Sequence, residues 1–186
     1  MIFNRIFGRK NPEAAPAQDL YGSIVRQART PEFYTELGVS DSVDGRFDLI
    51  VLHAFLLLRR LKQDGSESAT LAQAVFDAMF ADMDRSLREM GVGDLRVGAK
   101  VKQMATAFYG RVAAYDSGLD GDAGELEGAL MRNLYRKQLP NERQLAAVAG
   151  YVRDALAHLN GQSLGALRQG RVSFGEVPRG EGEGHD

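Results

Sequence analysis

The sequence predicts an all-α protein, a single-domain irregular bundle of about six to seven helices around a strongly apolar central helix. Three observations lead there. Apolar residues recur at intervals of three and four through most of residues 19–159, cap or stop residues bound each such stretch, and no run alternates with period two for long. The fragment Val172–Phe174 is too short to count as a strand. No repeat of helical pairs and no sustained heptad is visible, which argues against a solenoid or a long coiled coil.

The first helix is expected from Asp19 to Thr30, with Leu20, Tyr21, Ile24, Val25 and Ala28 on one side, limited by Pro31. A short turn from Pro31 to Leu37 ends at Gly38. Ser40, Asp41, Ser42 and Asp44 offer caps for a helix over 45–63, closed by Asp64-Gly65. Phe47, Leu49–Leu52, Phe55–Leu58 and Leu61 cover almost its whole circumference, so other helices must surround it or it must expose an apolar strip. Residues 66–90 carry a stripe through Leu71, Val75, Phe76, Met79, Phe80, Met83 and Leu87, stopped by Gly91. Residues 95–118 form a long helix through Val97, Val101, Met104, Phe108, Val112 and Tyr115, with a basic flank of Arg96, Lys100, Lys102 and Arg111. Two further helices follow over 123–137 and 141–159, separated by Pro140. The division expected is an N-terminal segment and linker over 1–18, the helical domain over 19–173, and a disordered acidic tail over 174–186.

Composition narrows the chemistry. The 186 residues include no cysteine and three scattered histidines, which leaves no disulfide, no thiolate-bound metal and little for any other metal site. No cofactor is expected. A net charge of −2 argues against a general DNA binder. The longest apolar runs, Leu49–Leu52 and Ala54–Leu58, are too short to cross a membrane, and the chain start lacks a secretory signal, so a cytoplasmic protein is expected. At that start, Ile2, Phe3, Ile6 and Phe7 would share one face of a short helix beside Arg5, Arg9 and Lys10. This is either a frayed terminus or a weak, peripheral contact with an anionic membrane at its inner face.

No phosphate-binding, dinucleotide-binding, nucleophile-elbow or zinc-protease motif is present. Asp77, Asp82 and Asp84 lie on a face laced with Arg85 and Arg88, better read as solvated than catalytic. No enzymatic activity is expected. His53, inside the most apolar helix, reads either as a neutral core histidine or as a polar anchor in a partner-binding groove. A haem- or quinone-handling all-α protein using His53, with His158 as a second ligand for haem, is the rival reading.

Four segments in order carry a resemblance: FDLIVLHAFLLLRRLKQDG (Phe47–Gly65), MFAD (Met79–Asp82), FYGRVAAYDSGL (Phe108–Leu119) and ALMRNLY (Ala129–Tyr135). Together they resemble the ubiquinol-cytochrome c chaperone family. Phe80 and Met131 stand where relatives typically carry Trp, and the short N-terminus suits a bacterial member. The resemblance implies an all-α fold without catalysis and a role as assembly chaperone for the cytochrome bc1 complex. Its client would be newly made cytochrome b, met at the ribosome or the membrane. A chaperone for lipid-facing segments calls for an apolar surface of adaptable Met and aromatic side chains. The candidates are Leu52, His53, Phe55, Phe76, Met79, Phe80 and Met83. Arg59, Asp82, Tyr109, Tyr115, Asp116, Arg132 and Asn133 are family-motif residues with structural roles, Arg59 and Asp82 being expected to pair between two helices.

Overall fold

The computed structural model describes residues 12–122, 124–136 and 138–179. Among them are helices and connecting turns but no strand, so the fold is the all-α bundle expected. α1 (Ala14–Ala28) begins earlier than the sequence suggested. Pro16 stands in its first turn, where backbone N–H groups lack helical partners in any case. Ala17, Leu20, Tyr21, Ile24 and Ala28 bury against α3 (Val43–Lys62) and α4 (Ala69–Glu89). α2 (Glu32–Thr35) is one turn that delivers Phe33 to the core and is followed by Gly38 at φ 71°.

α3 starts where Ser42 accepts a hydrogen bond from the Gly45 amide at 3.1 Å. It is surrounded, as its apolar circumference requires. α1, α4, α5 (Asp94–Asp120), α7 (Glu142–Asn160) and the turn Met131–Tyr135 all pack on it, and every residue from Val51 to Leu57 is buried. At its C-terminal end the buried Arg60 donates to the carbonyls of Leu159 at 3.1 Å and Gln162 at 2.8 Å, and to Asp64 at 2.5 Å. One guanidinium thus ties the end of α3 to the last turn of α7 and the turn that follows it.

α4 and α5 form a long antiparallel hairpin. α6 (Glu125–Leu130) folds back on α5, where Gly118 leaves no room for a side chain: a β-carbon there would lie 2.7 Å from the Leu126 Cα. The helix then widens into a π-turn over Met131–Tyr135. There Asn133 donates to the Ala129 carbonyl at 2.9 Å, and Arg136 follows with a positive φ of 54°. α7 opens with a reciprocal cap between Asn141 and Gln144, and α8 (Leu164–Leu167) with Ser163 accepting from the Ala166 amide.

The acidic tail does not begin at residue 174. Phe174 is buried and Val177 packs on the core, so an ordered strap extends past the expected boundary. The proposed membrane-contact residues Ile2, Phe3, Arg5, Ile6, Phe7, Arg9 and Lys10 lie outside the described residues.

Candidate functional site

His53 occupies the middle of the hub with no exposed surface. Its Nδ1 lies 2.8 Å from the Leu49 carbonyl, which fixes that nitrogen as the donor, so Nε2 accepts from the Tyr151 hydroxyl at 2.7 Å. The same hydroxyl accepts from Gln27 Nε2 at 3.0 Å. Phe33 and Phe174 meet the imidazole edge-on at 5.4 and 5.2 Å. Burial lowers the imidazole pKa to about 4 against the opposing pull of the Leu49 carbonyl, so the ring is neutral at pH 7. With both nitrogens engaged inside the protein, His53 is a core histidine. The surface-anchor reading is overturned, and neither nitrogen is free to ligate haem.

A second buried polar centre, which the sequence reading missed, lies on the same helix. Asp48, fully buried, accepts from Arg111 at 2.8 Å and from Arg136 at 3.4 Å. This joins α3, α5 and the end of the π-turn. Burial pushes the carboxyl up to about 6 in spite of both cations. The Arg111 guanidinium also stands 5.8 Å from the Phe47 ring centroid. Tyr115 is buried, and burial together with Asp48 raises its pKa. Its hydroxyl and Arg111 Nε have no hydrogen-bond partner among the described residues. The sequence signal was a carboxylate five residues before His53 in an otherwise apolar run.

An open surface feature lies between α3, α4 and α5. A groove of about 290 Å³ opens there over Phe55, walled by Leu58, Phe76, Phe108 and Tyr109. Its rim belongs to a patch of four rings. Phe76 stands 4.6 Å from Phe80, 5.6 Å from Phe108 and 5.8 Å from Tyr109, and Phe108 5.7 Å from Tyr109. Tyr109 is 60% exposed, Phe76 and Phe80 half-buried. At one end Arg59 bridges Asp116 and Asp120, closing the groove with an ion pair between α3 and α5.

Several sequence expectations are corrected by this geometry. Leu52, His53, Phe55, Met79 and Met83 are core residues, with only Phe55 reaching the groove floor. Their helical spacing served packing. Phe76 and Phe80 do reach the surface. Arg59 does not pair with Asp82, which instead accepts from the Tyr21 hydroxyl at 2.8 Å and pairs with Arg85. Of the motif residues, Arg59, Tyr109 and Asp116 meet at the groove, Asn133 ties the π-turn, and Arg132 is exposed on it.

Comparison with known proteins fits this architecture. The family model for the ubiquinol-cytochrome C chaperone matches residues 35–174, from α2 to the strap. The chain belongs to the ubiquinol-cytochrome c chaperone family. A solved relative in this family, the Cbp3 homolog from Brucella abortus, has 38% sequence identity and a TM-score of 0.79 over 89% of this chain and 92% of its own. Ubiquinol-cytochrome-c reductase complex assembly factor 1 of Xenopus laevis is 27% identical over 76% of this chain and 70% of the relative. The Homo sapiens factor is 28% identical over 83% of this chain, and the match spans 52% of the human protein. For a member of a chaperone family, binding rather than catalysis is the activity to be explained.

Proposed function

We propose that this protein is an assembly chaperone for the cytochrome bc1 complex and that it holds an apolar helical segment of newly made cytochrome b against the α3–α4–α5 groove. The observation that carries the reading is a half-exposed patch of aromatic rings beside an open apolar groove, in a chain whose relatives are named as reductase-complex assembly factors. The groove is sized for side chains from one face of a helix rather than for the helix itself, the usual arrangement for an amphipathic or lipid-facing segment on a helical surface. Tyr109 and Phe76 are rigid, flat contacts that lose little conformational freedom on binding.

The client also sets the place of action. No helix among the described residues is long and apolar enough to cross a membrane. From the proposed client we infer a place of action at the inner face of the membrane, with the ribosome and anionic lipid as further contacts and the N-terminal basic and apolar residues as one means of attachment.

Deleting the gene should lower assembled bc1 complex while other respiratory complexes persist; an unchanged level would sink the reading. At the residue level, Tyr109→Glu should reduce crosslinking to cytochrome b at least several-fold. The melting temperature should stay within a few degrees, because the side chain faces water. Met83→Glu should unfold the protein, since it forces a charge into a buried site. Undiminished crosslinking by the Tyr109 variant would move the client elsewhere.

A further inference from the structure

The tip of the α4–α5 hairpin combines features that the groove does not use. Leu87 and Val97 are buried, yet both lie outside the contiguous hydrophobic core, so the end of the hairpin is held by contacts of its own beyond the bundle. At the turn itself Leu95 is fully exposed and Met90 is 60% exposed. Gly91, at φ 79°, and Gly93 complete the turn. Exposed apolar side chains at the point of a protruding turn suit a planar apolar boundary rather than a cleft.

The tip carries Asp82, Asp84, Glu89 and Asp94 against Arg85, Arg88, Arg96, Lys100 and Lys102, a small cationic excess whose unmatched members lie on the α5 side. Arg85 and Arg88 are matched, Arg85 by Asp82 and Arg88 by Asp84 and Asp94 at 2.6 and 2.5 Å. Arg96, Lys100 and Lys102 are exposed and form no ion pair with any described residue. Leu95 and Lys102 are two helical turns apart on one side of α5, and Arg96 and Lys100 form the adjacent row. At a rise of about 1.5 Å per residue the two lysines stand roughly 7 to 11 Å behind Leu95, within snorkelling reach of a phosphate layer if Leu95 enters the interface. In a chain of net charge −2, this concentration of unmatched cations is local.

We propose that the α4–α5 tip docks on an anionic lipid bilayer, with Met90 and Leu95 entering the interface and Arg96, Lys100 and Lys102 pairing with lipid phosphates. This contact is separate from both the N-terminal segment and the aromatic groove and does not depend on which protein the groove holds. A protein partner is the weaker match, because the exposed apolar side chains are two, Met90 and Leu95, set at a turn rather than spread along a face. The geometry sets the hairpin pointing at the membrane, with the groove further along the same two helices.

The test is flotation of the full chain with phosphatidylcholine vesicles, with and without phosphatidylglycerol, at low and high salt. The triple variant Arg96→Glu/Lys100→Glu/Lys102→Glu should partition about tenfold or more weakly onto the anionic vesicles at low salt, where attraction per basic residue is greatest. Leu95→Asp should weaken partition on the same vesicles by a smaller factor, and both should keep the parental circular dichroism. Should the triple variant fail to fold, Lys100→Gln and Lys102→Gln, which only remove charge, should show graded losses. Parental flotation by folded variants overturns the proposal. So would unchanged flotation with lost crosslinking to cytochrome b, which would assign the tip to the client, or with altered sedimentation, which would assign it to a second copy of this chain.

Discussion

Asp48→Ala should lower the unfolding free energy by about 3 kcal/mol at pH 7, among the largest effects of any single truncation in this protein. The carboxylate is fully buried and answers the nearly buried Arg111, whose Nε already lacks a partner. Removing the anion strands that guanidinium in a low-dielectric site, and no rearrangement short of withdrawing it from between α3 and α5 restores its partners. Urea unfolding followed by circular dichroism gives the measurement. Arg46→Ala, which breaks an exposed pair with Asp41, should stay close to the parent. A shift for Asp48→Ala no larger than that of Arg46→Ala would show that the buried cluster contributes little.

The same helix should give the protein an unusual pH profile. His53 binds its proton less readily in the fold than in the unfolded chain. Its contribution is therefore complete above its ordinary pKa of 6.5 and is lost as the pH falls toward about 4, an amplitude of about 3 kcal/mol. Asp48 has the opposite sign. Its folded pKa is raised from 3.8 to about 6, so the stabilisation that comes from binding its proton is present below 3.8 and lost as the pH rises through about 6, again about 3 kcal/mol, while the ionised carboxylate still pairs with Arg111 at pH 7. The two nearly offset each other between pH 4 and 6.5. Asp48→Asn should therefore lose about 3 kcal/mol more than the parent over that acidification, and His53→Gln should shift by a similar amount in the opposite direction. Urea midpoints at four pH values decide the matter, and parallel profiles for parent and variants would refute the account.

The long helices were legible because periodicity reports which side of a helix is buried, and α3, α4, α5 and α7 are long enough to express it. The start of α1 was not, since Pro16 reads as a breaker except in a first turn, where it costs no hydrogen bond. Phe174 was assigned to the tail because one aromatic ring in a glycine-rich stretch hardly changes its average composition, although that ring covers His53. The site was harder. Met79, Met83 and Phe76 share one periodic pattern, and only three-dimensional neighbours determine that the methionines fill the core while the phenylalanine reaches the groove. Arg59 could be recognised as an ion-pair residue, but its choice of Asp116 and Asp120 over Asp82 depends on how α3 crosses α5.

The polar string through His53 has a consequence for synthesis order. Its links span 98 residues from His53 to Tyr151, 124 from Gln27 to Tyr151, and 148 from Gln27 to the Gly175 carbonyl. While a ribosome is still making α7, the imidazole lacks its hydroxyl partner, and until Phe174 emerges one side of the aromatic box stays bare. Local helices can form during elongation, but closing these distant contacts must wait for nearly the whole described chain. Until α7 and the strap are made, then, this protein leaves one side of an apolar helix uncovered, the same hazard posed by the client proposed for it.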